Sequence, residues 1–362
     1  MRSQLRFILP IAATTVAVCV SGALLTGCGD GISAAPQPSA TSPTSAAPAV
    51  VTLAQAKAIA ADYDLRNNAA IDRASQPPYD ERAWASADSG VALAGDIYST
   101  RYKKSAGTHD AAPFTTQVVS AFGSTAARAD DGQAPAVWLA AHTTSVSASA
   151  SRSDGGSATA DMGSLRLMVP TQAAGHTTGW RLTASIGGVR LSALPRPNPA
   201  PTILTKAQRQ AAANAVPAVI SAIRTGDTGE FADAGPLTDY RNGVGSSGQK
   251  GMNISSACRP WGSPVDTDPA TAVVVGTPAL RLVRAGTVTL GFLTLDCAVT
   301  ATSKTDGHVV LSKDSAAAEG DDGKPKSQID RRTGVTVLLS IPDSGRPTVL
   351  AGDASYLVPI GR

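Results

Sequence analysis

A proline-dense segment near the middle of the chain most limits what this chain can fold into. Its prolines stand at alternate positions, at Pro195, Pro197, Pro199 and Pro201. Proline fixes φ and lacks a backbone N–H group, so such a segment neither continues a helix nor pairs well within a sheet. We therefore predict a stiff linker over residues 194–202, with a first module at 51–193 and a second at 203–362.

The two halves open in the same way. Thr52-Leu53-Ala54-Gln55 begins the first half and Thr205-Lys206-Ala207-Gln208 begins the second. Threonine is a good N-cap, and apolar residues recur at helical spacing after each of these starts. Pro77 should end the first helix and Gly226 the second, whereas Pro217 should kink the second helix or restart it. Both halves are therefore predicted to begin with helices.

Each half closes on strand-like runs. In the first half these runs cover 114–122, 136–147, 165–169 and 180–186, and a helical stretch at 80–98 precedes them. In the second half they cover 272–275, 280–283, 288–299, 335–341 and 348–357, after a Gly/Ser-rich section at 227–269 that we predict to be irregular. Helices followed by antiparallel strands predict an α+β fold, with the helices of each module packed on one face of a curved antiparallel sheet.

The N-terminus has the layout of a signal peptide. Arg2 and Arg6 precede an apolar stretch over residues 7–25, which ends in Leu25-Thr26-Gly27-Cys28. This quartet resembles the lipobox of bacterial lipoproteins. The resemblance implies that residues 1–27 are removed and that Cys28 carries the lipid anchor, whose fatty acyl chains (palmitate among them) hold the protein on the extracytoplasmic face of the cell membrane. The alternative is an uncleaved membrane anchor with an incidental cysteine.

Residues 28–50 follow as a segment rich in Ala, Ser, Thr and Pro, without apolar periodicity. Such a composition is typical of a disordered tether. We expect it to hold the folded part away from the lipid surface.

Two cysteines remain after Cys19 leaves with the signal and Cys28 takes the lipid. An oxidising compartment favours a disulfide between these two, Cys258 and Cys297. Cys297 lies in a predicted strand and Cys258 in the section predicted to be irregular, so the bridge should pin a loop to a sheet. A metal site or a redox pair is the alternative, but no histidine lies beside either cysteine and their separation is wide.

No residue set has the spacing of a catalytic or metal centre. The histidines, His109, His142, His176 and His308, are scattered, although His142 falls in a predicted strand where it could face a cavity. Ser247-Gly248-Gln249-Lys250 matches the Ser-x-x-Lys of penicillin-interacting serine enzymes, but residues 242–251 carry four glycines and the partner motifs of those enzymes are missing. We predict a surface loop there, and no metal or cofactor.

Acidic residues occur in two places that invite a functional interpretation. Asp321 and Asp322 lack the Asp-x-Asp-x-Asp spacing of a calcium loop and fit a solvated turn better. Asp62, Asp64 and Asp72 on the first helix could supply a base to a cavity beneath it.

Helices, then strands, then Gly179-Trp180-Arg181-Leu182 in a closing strand resemble the nuclear-transport-factor-2-like superfamily of cone-shaped, cystatin-like modules. The closing strand of the second half lacks this tryptophan. The whole chain also resembles secreted lipoproteins of high-GC bacteria, a resemblance that implies no activity. Cone-shaped modules often enclose a pocket between the helices and the sheet.

These features favour a binding role over catalysis. The net charge is +3, from 31 basic and 28 acidic residues, which does not favour nucleic acid as a partner. We expect a non-catalytic binding or scaffold module of the cell envelope, whose partner beyond the membrane is an envelope protein or a glycan. The alternatives are a carrier of a small apolar ligand in a cone-shaped cavity and an enzyme that uses the cavity of the first module.

Overall fold

The structure is a computed structural model that describes residues 50–109, 113–125, 135–145, 161–173, 176–200, 202–246, 252–262, 279–305 and 307–357. The predicted signal peptide, Cys28, the tether before Val50, the Ser247–Lys250 motif and the predicted strand at 272–275 lie outside these residues. Within the described ranges, no helix is both long enough and apolar enough to cross a membrane.

Three helical segments open the first half. Helix α1, Leu53–Ala74, begins at Thr52, whose side chain accepts a hydrogen bond from the backbone N–H of Gln55, while the Gln55 side chain accepts one from the backbone of Thr52. A 3₁₀ helix at Glu81–Ser86 and helix α2 at Gly90–Ala106 follow. The prediction of a single helical stretch at 80–98 is therefore wrong. Residues 87–89 are not helical and pair with Leu182 instead.

Four antiparallel strands complete the first half. They are β1 (Phe114–Ser124), β2 (Ala136–Ser145), β3 (Met162–Ala173) and β4 (His176–Arg190). They form a sheet in their sequence order. Helix α1 packs on one face of this sheet. The apolar side chains of β2 on that face include Val137 and Leu139.

The second half begins with two helices. Helix α3, Lys206–Thr225, has the same reciprocal cap between Thr205 and Gln208, and it ends at Gly226, which has a φ of 83°. It includes Pro217 within one unbroken helix. Helix α4, Gly235–Ser246, lies in the section predicted to be irregular, so that prediction is wrong. Gly243 and Gly245 have low helix propensity, so the sequence did not predict this helix.

The second sheet contains five strands. They are β5 (Met252–Pro260), β6 (Leu280–Ala285), β7 (Val288–Ser303), β8 (Gln328–Pro342) and β9 (Thr348–Tyr356), with helix α5 (Lys313–Glu319) between β7 and β8. The order is β5-β7-β8-β9, and β6 also pairs with β7. Strands β5 and β6 pair with successive parts of β7, so together they take the place that β1 takes beside β2. The predicted α+β class with antiparallel sheets is confirmed.

A disulfide joins Cys258 of β5 to Cys297 of β7, which confirms the predicted pair. The two residues stand directly opposite each other in the antiparallel register. The bridge therefore links two neighbouring strands, and the expectation that it pins an irregular loop is wrong, because Cys258 lies in a strand.

The two sheets pack against each other, so the molecule has helix, sheet, sheet and helix layers. Successive side chains of a strand point to opposite faces of its sheet, so each sheet meets helices on one face and the other sheet on the other. In β2, Val137 and Leu139 face α1, whereas Trp138 faces the second sheet. In β7, Phe292 faces the first sheet and Leu293 faces α3. The rings of Trp138 and Phe292 meet edge to face with centroids 5.7 Å apart.

One contact between the halves requires glycine. Gly334 of β8 faces Val91 of α2, and a Cβ atom at residue 334 would lie 1.9 Å from a methyl carbon of Val91. The linker also contributes to the junction. Leu194 packs against the core between the sheets, and the Asn198 side-chain oxygen accepts a hydrogen bond of 2.8 Å from the backbone N–H of Gly286. The two halves therefore share one continuous apolar core across the junction.

Candidate functional site

The three aspartates singled out on α1 do not form a cluster. Asp62 pairs with Arg66 on the surface, with 2.7 Å between the charged atoms. Asp64 is buried and accepts hydrogen bonds from the backbone N–H and the hydroxyl of Thr116, both at 2.6 Å. Asp72 lies further along the helix and is partly exposed. The structure therefore does not bring these carboxylates together at one site.

Asp64 instead stabilises an edge of the first sheet. The backbone N–H of Thr116 lies on the outer side of the edge strand β1, and one turn along α1 the Asn68 side chain exchanges hydrogen bonds with the backbone of Phe114. These side chains cover strand groups that would otherwise be unpaired. Burial raises the pKa of the Asp64 carboxyl, and its hydrogen bonds to Thr116 and the charge of Arg166 act in the opposite direction.

The histidines are also separate from one another. His142 lies near the surface, with Nδ1 3.2 Å from the carbonyl oxygen of Met162, and His109 Nδ1 lies 3.2 Å from the Tyr79 hydroxyl. His308 is exposed, and the structure does not describe the side chain of His176. Across the part of the chain that the structure describes, no three His, Cys, Asp or Glu side chains are grouped so as to hold a metal ion.

A polar cluster that the sequence did not reveal lies beneath α1. Tyr63 and Asn67 stand one turn apart on the buried face of α1, and Asp88 approaches them from the segment between the 3₁₀ helix and α2. The Tyr63 hydroxyl lies 3.1 Å from Asn67 Oδ1 and 3.2 Å from Asp88 Oδ1. Asp96, on α2, acts electrostatically on both Tyr63 and Asp88. We call these four residues the buried acid cluster.

Hydrogen-bond counting indicates a proton on Asp88. The Tyr63 hydroxyl has one proton but faces two acceptor oxygens, with Asn67 oriented as found. Asp88 is fully buried, and its Oδ2 has no hydrogen-bond partner, which is unfavourable for a carboxylate. A protonated Asp88 can donate to Tyr63, which then donates to Asn67. Burial, and next the charge of Asp96, raise the pKa of Asp88 well above its usual range, and burial raises the pKa of Asp96 to about 7.

Lys103 acts electrostatically on Asp96, whereas the two arginines beside the cluster have other partners. Arg66 donates hydrogen bonds to the carbonyl oxygens of Ser86 and Trp180, which hold the turn before Asp88 against β4. Arg166 donates to the hydroxyls of Thr116 and Thr143, both at 2.6 Å. The buried acid cluster therefore has positive charge nearby but no ion pair with Asp88 among the described residues.

A second candidate site is a groove at the junction of the two halves. It has a volume of about 640 Å³ and lies between the 3₁₀ helix, α2 and α5. Its walls include Tyr79, Glu81, Arg82, Arg101 and Lys104 from the first half and Ala317 from the second. We call it the inter-half groove. Its volume falls within the range usual for small-ligand sites, roughly 300–1,000 Å³.

Both acidic residues that line the inter-half groove have ion-pair partners, one inside the groove and one outside it. Arg101 donates two hydrogen bonds to the carboxylate of Glu81, at 2.7 and 3.0 Å, and Asp80 pairs with Arg73. The hydrogen bond from Arg101 lowers the pKa of Glu81, and the charges of Lys104 and Arg82 act in the same direction. Arg82 and Lys104 are exposed and have no salt bridge within the described residues.

Polar contacts beside the groove fix α2 relative to α5. The hydroxyl of Ser105 donates to Asp314 at 2.8 Å. Arg331 of β8 lies 2.6 Å from the Glu319 carboxylate, donates to the Tyr98 hydroxyl at 2.9 Å and stacks over the ring of Tyr356 at 3.7 Å. The two walls of the groove are therefore held by contacts that cross between the halves.

The two sites suit different chemistry. The buried acid cluster can hold and donate a proton, whereas the inter-half groove can take a ligand by charge and shape. Comparison of the chain with protein-family models, with curated proteins and with solved structures gives no match.

Proposed function

We propose that this protein is a lipid-anchored lipoprotein on the extracytoplasmic face of the cell membrane, where it binds an envelope component without transforming it. The observation that carries the binding role is the inter-half groove, whose walls come from both halves and are fixed by contacts between them. The signal-like N-terminus and the Leu25–Cys28 quartet support the anchor, and the composition of residues 28–50 supports a tether.

Blocking the groove should strongly weaken binding to the envelope. Ala317 is exposed on α5, and an Ala317→Trp substitution fills the groove without changing its charge. We expect retention of the detergent-solubilised full chain on isolated cell-envelope material to fall about tenfold, since a filled pocket excludes its ligand. Ala207→Trp, at an exposed position on α3, is the matched control and should bind as the wild type does. Equal retention of both variants would contradict a role for the groove.

Removing the lipidated cysteine should release the protein from the detergent phase. In Cys28→Ala the thiol that accepts the lipid is lost, so the acyl chains that drive partitioning at ~0.8 kcal/mol per buried methylene are missing. We expect the wild type to partition into detergent and to show acyl mass on its mature N-terminus, and the variant to show neither. Detergent-phase partitioning by the variant, together with no acyl mass on the wild type, would exclude the lipid anchor.

A second candidate function is an enzyme that uses the first half, and the buried acid cluster is the observation that favours it. A protonated carboxyl beside a tyrosine hydroxyl can donate a hydrogen bond or a proton to a substrate oxygen. The cluster lies between α1, α2 and the first sheet, where the resemblance to cone-shaped modules implies a pocket. The Asp88→Asn substitution tests whether the proton that this role needs is present.

A further inference from the structure

We infer that the inter-half groove binds a glycan through an anionic group of that glycan, a carboxylate or a phosphate. This inference rests on the proposed function, because it names the chemistry of the ligand for the same groove. It follows from the charges left over in the groove, from the aromatic ring that lines it and from its size.

The first argument is charge. Of the ionisable groups on the groove walls, Glu81 is matched by Arg101, and Asp80 is matched by Arg73. This leaves Arg82 on the 3₁₀ helix and Lys104 on α2 without a salt-bridge partner among the described residues. Both residues line the groove, Arg82 from the 3₁₀ helix and Lys104 from α2, and both charges act on Glu81. A ligand that enters there meets two cations that its own anionic group can satisfy.

The second argument is the ring of Tyr79. Tyr79 lines the groove at a backbone φ of 57°, a conformation that few residues other than glycine adopt. Its hydroxyl lies 3.2 Å from His109 Nδ1, so the polar end of the side chain has a partner. An aromatic residue next to cations suits a sugar ring that carries a negative charge, because one side of a pyranose is apolar and its substituents are polar.

The third argument is size. A volume of about 640 Å³ accommodates a few sugar units. A folded protein partner would instead need a surface of roughly 800 Å² on this chain, with an apolar centre. Five of the nine residues that line the groove are charged, so an acidic glycan fits it better than the apolar centre of a protein interface does.

The test is calorimetric titration of the detergent-solubilised full chain with defined probes. A hyaluronan tetrasaccharide supplies carboxylates, chitotetraose is a neutral counterpart, and inorganic phosphate is added as a competitor. We expect the wild type to bind the acidic tetrasaccharide at least ~10-fold more tightly than the neutral one, and less tightly at high salt. The double variant Arg82→Ala/Lys104→Ala should lose about tenfold or more of this affinity. Competition by phosphate at millimolar concentration would show that the subsite also takes phosphate, and no competition would assign it to carboxylate.

A matched control separates local from general charge effects. Lys57→Ala/Lys206→Ala removes two exposed lysines on α1 and α3 and should bind as the wild type does. Equal affinity for the acidic and neutral tetrasaccharides, or full binding by Arg82→Ala/Lys104→Ala, overturns the inference. If Ala317→Trp abolishes binding of the neutral probe and the double variant does not, the groove is a binding site and only the anionic specificity falls. If Ala317→Trp leaves binding of the acidic probe intact, that glycan binds elsewhere, and both the inference and the role of the groove fall.

Discussion

Asp88→Asn should make the protein more stable than the wild type at pH 8, by about 1–3 kcal/mol, the usual penalty for a buried polar group left unsatisfied. Asparagine keeps the size of the side chain, and its amide can donate to the Tyr63 hydroxyl as the protonated carboxyl does. It has no proton to lose. The wild type must either keep a proton on a group that would ionise in the unfolded chain or bury a carboxylate that has no ion pair among the described residues and whose Oδ2 has no hydrogen bond.

The direction of the pH dependence follows from the raised pKa. Burial, and next the charge of Asp96, raise the pKa of Asp88, and burial raises the pKa of Asp96 to about 7. In the unfolded chain both aspartates titrate at about pH 4. Between these values the folded protein holds more protons, so its free energy of unfolding falls as the pH rises. The stability difference between Asp88→Asn and the wild type should therefore be near zero at pH 4 and grow towards pH 8.

Thermal melts of the wild type and Asp88→Asn at pH 4, 6 and 8 measure this effect. A gain of 1 kcal/mol corresponds to roughly 2–4 °C for 150–250 residues. Asp62→Asn, at the exposed ion pair with Arg66, is the matched control and should show no such trend. A wild type that is more stable than Asp88→Asn at pH 8 would mean that Asp88 is ionised and stabilised by its surroundings, contrary to the proton assigned to it.

Phe292→Ala should destabilise both halves together, by roughly 3–5 kcal/mol, as expected for a fully buried large aromatic side chain. Phe292 belongs to β7 in the second half, but its ring packs against Trp138 of β2 in the first. The cavity left by the substitution lies between the two sheets. Amide hydrogens of β2 should therefore exchange faster, although β2 is not hydrogen-bonded to β7.

Hydrogen exchange, resolved by strand, and thermal unfolding measure this coupling. Ile220→Ala, in the core between α3 and the second sheet, is the control. A single transition, lowered in both variants, indicates one cooperative unit. Two independent modules would instead give two transitions, with the first-half transition unchanged by Ile220→Ala. Unchanged exchange in β2 after Phe292→Ala would contradict a shared core that contributes to stability.

The cooperativity matters for the proposed function, because the inter-half groove exists only while α2 and α5 stay together. Tyr98, Glu319 and Arg331 link these helices, and Gly334 allows Val91 to approach β8. A loss of contact between the halves would open the groove. Binding and stability should therefore decline together in variants of the shared core.

The prediction of most helices and strands from the sequence rested on local signals. Thr52 and Thr205 begin α1 and α3 because a side-chain oxygen can cap the free N–H groups of the first helical turn wherever the helix later packs. Strands such as β7 are visible in the sequence as runs rich in apolar and β-branched residues, whichever layer they later pack against. Helix α4 and strand β5 were missed, since glycines and serines weaken the same local signals there.

The candidate sites depend on contacts between distant residues, so the sequence could not place them. Asp62, Asp64 and Asp72 stand near one another in the sequence, yet the fold sends them to different surroundings, whereas Asp88 lies outside any motif and becomes the buried acid. Only burial distinguishes Asp88 from an ordinary turn aspartate, and burial depends on every element packed around it.

The sequence by itself determined the helical and strand periods and the caps of α1 and α3, because each depends on neighbours along the chain. It favoured the pairing of Cys258 with Cys297, and the structure contains that bridge. Only the tertiary structure decided which face of each sheet meets a helix and which meets the other sheet. Both faces of β2 and β7 are apolar, so the pattern alone fits either partner. The same packing of the two halves creates the inter-half groove, whose walls lie more than 200 residues apart in the sequence, from Lys104 to Ala317.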